Sequence, residues 1–276
     1  MVERIDELWD FSNPSESESR FLSAADSESD PMNRAELLTQ AARSMGLQKK
    51  FDDASALLNG VSQSLPAGDS IAKVRYHLES GRVLNSSRTG DRGLEHFLEA
   101  SEMAARLDDN HLEIDAIHML AIIGTPEQAL ALNLQAIDKA KRTTQPRARK
   151  WIGSLSNNLG WTYFDQGELR LALDQFQIAH EYFLSTGNDA SKAIAKWTLG
   201  RVYRELGQHS LAIQMQRRVL ELAPDDGYCH EELALLNRLT GDPKKARYYA
   251  EKALPFIREN HPDELNRIQS LEKILV

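Results

Sequence analysis

Residues 157–179 read NNLGWTYFDQGELRLALDQFQIA, and a similar arrangement of small, aromatic and glycine residues returns twice further along the chain. The later copies are WTLGRVYRELGQHSLAIQMQRRVLELAP at residues 197–224 and ELALLNRLTGDPKKARYYAEKAL at residues 232–254. Apolar residues in all three stretches recur every three or four positions, which is the period of an amphipathic helix. A glycine near the middle of each stretch marks a break between two helical segments. Each stretch therefore predicts a pair of consecutive helices.

The first two copies agree position by position. Each has a Leu-Gly pair, then a tyrosine three residues after that glycine, a second glycine at seven and an alanine at twelve. These spacings resemble the tetratricopeptide repeat (TPR), a pair of antiparallel helices, A and B, whose small residues let the two axes approach closely. The resemblance implies that Gly160 and Ala172 lie where helices A and B touch, with Tyr163 and Phe176 beside them.

Weaker matches in the first half of the chain continue the same register. The small residue of helix A falls near positions 42, 81, 117, 160, 200 and 234, which indicates six repeats. The third of these repeats lacks the Leu-Gly pair. Successive positions are 39, 36, 43, 40 and 34 residues apart, compared with a family period of about 34. The excess implies TPR-like repeats with extended helices or loops.

Residues 263–276, DELNRIQSLEKILV, predict one more amphipathic helix after the sixth repeat. Such a helix is expected because an uncapped last repeat would expose an apolar face. Prolines and glycines separate the helical segments, and no run of alternating β-branched residues indicates a strand. The predicted fold class is all-α: a right-handed α-solenoid of about six TPR-like helix pairs with a C-terminal capping helix.

The negative charge of the chain is concentrated near its N-terminus. The formal net charge is -8, and residues 1–31 contain nine acidic and two basic residues, so this segment alone carries -7. The remaining body, residues 32–276, is close to neutral at -1. A body without an excess of Lys and Arg argues against general nucleic-acid binding. We therefore divide the chain into an acidic N-terminal segment and a TPR-like solenoid, and expect no nucleic-acid partner.

The acidic segment also contains IDELWDF, in which Ile5, Leu8 and Trp9 have helical spacing and Phe11 follows. Low hydrophobicity and high charge favour disorder over much of the segment. Trp9 and Phe11 are unusual in such a tail, and two hypotheses account for them. Either they cap the first repeat, or they occupy the groove of the solenoid as a pseudo-ligand.

Composition favours a protein of the reducing cytoplasm. The single cysteine, Cys229, excludes an intrachain disulfide and a cysteine-rich zinc site. The longest apolar run, Met119–Ile123, is far shorter than the ~20 residues of a membrane-spanning helix. The acidic N-terminus lacks the features of a signal peptide. We expect a cytoplasmic location and no membrane partner.

Motifs of catalysis or metal binding are not found in the sequence. The chain has no H-E-x-x-H, C-x-x-C, G-x-G-x-x-G or G-x-S-x-G motif. His111 and His118 share one face of a candidate helix, but no acid or cysteine completes a metal site with them. Cys229 lacks the histidine and asparagine that accompany a cysteine nucleophile. We therefore expect no enzymatic activity, no cofactor and no metal.

The TPR resemblance implies that the inner faces of helices A line a concave groove. Counting from the small residue of each repeat places arginine, tryptophan, histidine and asparagine on that face. Arginine suits carboxylate recognition, and tryptophan provides a large, stiff anchor. The candidate peptide- and protein-binding residues are Arg43, Arg82, His118, Asn157, Asn158, Trp161, Trp197, Arg201, Arg204 and Arg238. The alternative is that the arginines pair with acids of the adjacent repeat and only solubilise the face.

Asn158 lies just before Leu159-Gly160, in a string that resembles the Asn-Leu-Gly of many peptide-binding TPRs. In those proteins the asparagine holds the backbone of an extended peptide, a task for an amide that both donates and accepts. Repeats five and six have Thr198 and Glu232 instead. The Lys, Asn and Arg set of the chaperone-binding TPRs is also missing from the last three repeats, so chaperone C-termini are not predicted as ligands.

Two functional hypotheses follow from these residues and from the resemblance. The first is a non-catalytic scaffold or adaptor that recognises an extended, acidic peptide or protein segment in the concave groove. The second is a regulator similar to bacterial TPR proteins whose helical arrays sense signalling peptides and control an effector protein. No helix-turn-helix with a basic recognition helix is evident, which argues against a self-contained transcription factor.

Overall fold

The computed structural model of the chain describes residues 1–87 and 92–276. All regular secondary structure in these residues is α-helical, which confirms the all-α class. The helices are α1 (Val2–Leu8), α2 (Pro14–Asp26), α3 (Pro31–Leu47), α4 (Phe51–Ser64), α5 (Ile71–Ser86), α6 (Arg92–Arg106), α7 (Asn110–Ile123), α8 (Pro126–Arg142), α9 (Pro146–Arg149), α10 (Trp151–Asp165), α11 (Leu169–Thr186), α12 (Asp189–Glu205), α13 (His209–Leu220), α14 (Gly227–Leu239), α15 (Pro243–Asn260) and α16 (Leu265–Leu275).

Helices A and B of the repeats follow the order that the small residues predict. Within the part of the chain described, the pairs are α3/α4, α5/α6, α7/α8, α10/α11, α12/α13 and α14/α15. Helices α1 and α2 precede them, the short α9 lies between the third and fourth pairs, and α16 follows the last pair. The predicted class, a TPR-like solenoid with a C-terminal capping helix, is therefore confirmed.

The chain divides into two compact units, Met1–Trp151 (unit one) and Ile152–Val276 (unit two). In unit one, each helix from α1 to α9 packs against the next, and α3, α5, α7 and α9 also contact one another in succession. In unit two, α12, α14 and α16 contact one another in the same way. Packing between sequence neighbours is typical of helical repeats. It places the A helices side by side within each unit.

Small residues of helix A lie directly against large side chains of helix B. A β-carbon added at Gly160 would lie 2.5 Å from ring carbons of Phe176, and one added at Gly81 would lie 2.5 Å from the ring of Phe97. Both phenylalanines are fully buried. The close approach predicted at Gly160 is therefore confirmed, and the ring of Phe176 is what fills the space against it.

The turns between helices A and B of unit two depend on glycine. Gly167, Gly207 and Gly241 have φ values of 80°, 71° and 78°, a left-handed conformation that L side chains rarely adopt. The equivalent residue after α3 in unit one is Lys49, whose φ is 63°. The first repeat therefore departs from the sequence pattern while its backbone turns in the same way.

The acidic segment, residues 1–31, for which the sequence predicts partial disorder or a cap on the first repeat, contains helices α1 and α2. Phe21 and Ala25 of α2 are fully buried in a cluster with Ile5 of α1 and Leu37 of α3. These apolar residues recur at helical spacing among acids and serines, so an amphipathic helix is present despite a disorder-prone average composition. The helical backbone of α1 and α2 differs from the predicted disorder for this reason.

Candidate functional site

The ten candidate residues fall into two sets, one in each compact unit. Arg43, Arg82 and His118 lie on α3, α5 and α7 of unit one. The other seven lie on α10, α12 and α14 of unit two: Asn157, Asn158, Trp161, Trp197, Arg201, Arg204 and Arg238. Asn157 and Asn158 are half-buried, whereas Arg238 is exposed in the last turn of α14.

In unit one, the candidate arginines are held by buried carboxylates. Arg82 donates to Oε1 of Glu79 at 2.7 Å and also to Asp115 of the next helix A. Arg43 lies 3.7 Å from the same oxygen of Glu79. Burial by itself raises the pKa of Asp115, but the guanidinium groups of Arg82 and Arg43 outweigh burial and lower this pKa to about 2. Two arginines and two carboxylates, whose formal charges balance, therefore form one network.

Two histidines and a tryptophan lie beside this network. The ring of Trp151 is 5.8 Å from that of His111 and 5.3 Å from that of His118, centroid to centroid. The indole Nε1 of Trp151 donates to Nδ1 of His111 at 3.0 Å, so that nitrogen is unprotonated. Burial lowers the pKa of His111 to about 4 and also lowers the pKa of His118. Both imidazoles are neutral at pH 7. The sequence pattern does not indicate Trp151, because this residue lies outside the positions counted from the small residue of each repeat.

In unit two, Trp161, Trp197 and Arg201 form one cluster. The two indole rings lie 5.8 Å apart, centroid to centroid. The guanidinium of Arg201 is 5.9 Å from the ring of Trp161 and 5.4 Å from that of Trp197, distances typical of cation–π contacts. Phe164 lies 5.6 Å from the same guanidinium. Residues counted onto one face of α10 and α12 thus come together in the structure.

Glu232 of α14 is the buried carboxylate of this cluster. Arg204 donates to both of its oxygens, at 2.8 and 3.3 Å. Nε of Arg201 lies 3.1 Å from Oε1 of Glu232, but its N–H is not aligned for a hydrogen bond. Arg201 is therefore attracted to Glu232 while its Nε hydrogen finds no acceptor in the part of the protein that the structure describes.

The ion pairs follow a rule of register between adjacent repeats. An arginine one residue after the small position of a repeat meets an acid two residues before the small position of the next repeat. The pairs are Arg43 with Glu79, Arg82 with Asp115 and Arg201 with Glu232. The acids occupy the same column as Asn158 and Thr198, so the signal was present in the sequence. Pairing between arginines and acids of adjacent repeats, the alternative to ligand binding, is thus present in the protein.

A cavity of about 450 Å³ opens beside Trp197 in unit two. Its lining is mainly apolar and consists of Ala190, Ala193, Ile194, Trp197, Val219, Ala223, Asp226 and Tyr228. Two polar atoms in this part of unit two are shielded from solvent and have no hydrogen-bond partner among the described residues. They are Nε1 of Trp197 and Oδ1 of Asn157, which lies one turn before Trp161 on α10. A buried donor and a buried acceptor are therefore left unused in this part of unit two.

Outside these clusters, the described residues, 1–87 and 92–276, offer neither a metal site nor a reactive thiol. No group of three or more His, Cys, Asp or Glu side chains there has the arrangement of a metal site. No helix in these ranges is both long and apolar enough to cross a membrane. The thiol of Cys229 is buried and donates to the carbonyl of Gln216 at 2.9 Å, and burial raises its pKa above the ordinary value. A protonated, buried thiol is a poor nucleophile.

Sequence models of the tetratricopeptide repeat match residues 151–225 and 198–264, the part of the chain that contains the cluster in unit two. Residues 151–264 of the chain are tetratricopeptide repeats. Comparison with curated proteins by sequence finds no significant match.

Several solved structures share the fold of this chain. A STAND signal transduction ATPase with a tetratricopeptide repeat sensor, from Pyrococcus horikoshii, has a TM-score of 0.70 at 15% identity, over 95% of this chain and 42% of that one. The apo form of the quorum sensor NprR from B. thuringiensis has a TM-score of 0.67 at 14% identity, and the match covers 98% of this chain and 80% of NprR. PilF from Pseudomonas aeruginosa has a TM-score of 0.64 at 13% identity, and the match covers 88% of this chain and 99% of PilF. At these identities the similarity is one of fold.

Proposed function

We propose that this TPR protein is a non-catalytic interaction scaffold whose unit two recognises an extended peptide or protein segment. The surface that we assign to the ligand carries Asn157, Trp161, Trp197 and Arg201 on helices α10 and α12. Tryptophan and arginine are enriched among the residues that dominate binding at protein interfaces. The single, buried cysteine supports a reducing, cytoplasmic setting.

The observation that carries the proposal is a set of unused polar atoms in this cluster. Oδ1 of Asn157 is an acceptor, whereas Nε1 of Trp197 and Nε of Arg201 are donors, and all three lack a hydrogen-bond partner in the described chain. Leaving a buried polar atom unpaired costs about 1–3 kcal/mol. An extended peptide backbone presents N–H and C=O groups in alternation. One bound segment would therefore satisfy these atoms once the side chains that cover them move.

The surroundings of these atoms support two further features of the ligand. The cavity beside Trp197, with walls that include Ile194 and Val219, suits a bulky apolar side chain. A carboxylate on the ligand would compete with Glu232 for Arg201 and Arg204. We therefore propose an extended segment that carries one large apolar residue and one acidic residue.

A ligand selected from a random peptide library, followed by calorimetry on single variants, tests this site. Trp197→Phe removes the unused N–H but keeps an aromatic ring, so binding should weaken about tenfold while the melting temperature does not fall. Arg201→Ala should weaken binding and flatten its dependence on salt. The control is Arg247→Ala, whose exposed side chain lies on α15 and which should bind like the wild type. Equal affinities for the wild type and both site variants would overturn the proposal.

A ligand-responsive regulator is the second candidate function. It is favoured by the similarity in fold to apo NprR, a quorum sensor, over 98% of this chain. In a regulator, the ligand binds one conformation better than another and so shifts the population that an effector protein meets. Small-angle scattering with and without the selected peptide distinguishes the two candidates. A changed radius of gyration supports the regulator, and an unchanged curve with tight binding supports the scaffold.

A further inference from the structure

The beginning of the chain lies on the face of unit one that holds the candidate arginines. Ile5 of α1 is fully buried with Phe21 of α2 and Leu37 of α3. Helix α1 therefore rests on the first helix A. The side chains that follow Ile5 reach residues at the inner positions of that helix.

An aromatic pair from the N-terminal segment covers Arg43. The rings of Trp9 and Phe11 are stacked, with centroids 4.5 Å apart, and the guanidinium of Arg43 lies 5.6 Å from each ring. The indole Nε1 of Trp9 donates to Oε1 of Gln40 at 3.1 Å. Gln40 and Arg43 stand two residues before and one residue after the small position of the first repeat. These are the columns that contain Asn158 and Arg201 in later repeats.

An acidic side chain of the same segment reaches the last helix of unit one. Oδ1 of Asp6 accepts a hydrogen bond from Nη2 of Arg147 on α9 at 2.7 Å. Helices α3, α5, α7 and α9 contact one another in succession, so α1 touches both the first and the last helix of that row. The segment thus lies along the surface that carries the ion-pair network of unit one.

Apart from Ile5, the side chains of residues 1–13 that make these contacts stay partly exposed. The side chain of Asp6 is 49% exposed and Phe11 is 61% exposed. Helix α1 has only seven residues, too few to be stable without packing. The turn after it is tied to α2, because the N–H of Asp10 donates to the hydroxyl of Ser17 at 2.8 Å. Helix α1 and the turn after it are therefore attached at Asp10 and held by the packing of Ile5, Leu8 and Trp9 on the cluster around Phe21, together with partly exposed polar contacts.

We propose that the surface of unit one between Arg43 and Arg147 is a second protein-binding surface, and that residues 1–13 are its built-in occupant. The partner it fits is a protein segment of the same chemistry, in which a carboxylate stands three residues before an aromatic side chain. The carboxylate pairs with Arg147 and the aromatic ring covers Arg43. This surface is separate from the cluster around Trp197 and does not depend on it.

Tethering explains why a partner has to compete with the chain itself. A segment joined to its site by a short connection has an effective concentration in the millimolar range. An external segment of identical sequence is therefore excluded until the internal contacts are weakened or a tighter-binding sequence is offered. Part of this competition is electrostatic, since it involves the ion pair of Asp6 with Arg147, and it decreases as salt increases.

A fluorescent peptide of residues 1–13 is the probe that tests the proposal on the full chain. The wild type should bind it weakly. The double variant Asp6→Asn/Trp9→Ala keeps Ile5 and Arg4 but loses the ion pair of Asp6 with Arg147 and the contacts of Trp9 with Gln40 and Arg43. It should therefore bind the peptide at least tenfold more tightly, measured by anisotropy. Adding Arg43→Ala and Arg147→Ala to that variant should abolish the gain. A probe peptide that carries the Asp6→Asn and Trp9→Ala changes itself should not bind.

Three further measurements decide between this proposal and its rivals. If the double variant melts several degrees lower and binds the peptide no better, the segment is a structural cap and the proposal is overturned. If the wild type forms dimers by size-exclusion chromatography that the double variant does not form, the occupant is the segment of a second copy, which also overturns it. Trp197→Phe should leave binding of this probe unchanged, because the site in unit two is independent.

Discussion

At the scale of single residues, Gly160 shows how closely helices A and B approach each other in unit two. A β-carbon there would overlap the ring of Phe176, which is fully buried. Gly160→Ala should lower the free energy of unfolding by ~1–3 kcal/mol in a urea titration. The control is Gly60, an exposed position of α4 where an added β-carbon meets no atom within 4 Å. Gly60→Ala should stabilise by about 0.5–1 kcal/mol.

Lys49 occupies a position that glycine fills in three later repeats. Its φ of 63° is unfavourable for an L side chain, and the residue is exposed. Lys49→Gly should therefore raise the free energy of unfolding by about 0.5–1 kcal/mol in thermal or urea melts. Gly207→Ala, at a φ of 71°, should lower it by a similar amount. A destabilised Lys49→Gly variant would show that the lysine side chain makes contacts that outweigh the backbone strain.

His111 predicts how stability depends on pH. Its pKa in the folded protein is about 4, below the ordinary value of 6.5, because burial and the positive charge of Arg147 favour the neutral ring. Between these pH values the unfolded chain binds a proton that the folded chain does not, so the free energy of unfolding decreases as pH falls from about 6.5 to about 4. The half-buried His77, whose pKa is also lowered to about 4 by desolvation, acts in the same direction. Urea titrations at pH 7 and pH 4.5 measure the difference in the free energy of unfolding between the two pH values. This difference should be smaller in the double variant His77→Gln/His111→Gln. An equal difference in the wild type and the variant would contradict the assignment.

At the scale of helices, α16 closes unit two by covering α14 and α15. Leu271 is fully buried in a cluster with Ala250 and Ile257, and Arg267 donates to Glu231 at 2.6 Å. Leu271→Ala should lower the free energy of unfolding by ~2–5 kcal/mol, whereas Leu265→Ala, at a side chain 63% exposed, should change it by less than about 0.5 kcal/mol. Similar effects of the two substitutions would mean that α16 is not a packed cap.

At the scale of the whole molecule, packing between neighbouring helices predicts that the two compact units respond separately to mutation. Phe97→Ala leaves a cavity in the core of unit one, and Phe176→Ala leaves one in the core of unit two, because each change removes a fully buried ring. Each variant should weaken local stability by ~3–5 kcal/mol, seen as faster hydrogen exchange in its own unit. Equal acceleration across both units would instead indicate a single cooperative transition.

The sequence by itself determined the features of this protein that depend on local spacing. The period of the apolar residues, the small residue of each helix A and the turn glycines predict the helix pairs, because these signals act within about 35 residues. Counting positions from the small residue of each helix A also predicts that Trp161, Trp197 and Arg201 share one face. In the structure these three side chains are in contact. The register of the acids was also readable, since Glu232 stands in the column of Asn158.

Only the tertiary structure decided which polar groups are satisfied and which surfaces are covered. Arg82 meets Asp115 across 33 residues of sequence, and Asp6 meets Arg147 across 141. The unused atoms of Asn157 and Trp197 likewise become apparent only when every neighbour is in place. The physical reason is that desolvation and the nearest opposite charge set the free energy of a buried polar group, and both depend on neighbours in space rather than on neighbours in sequence.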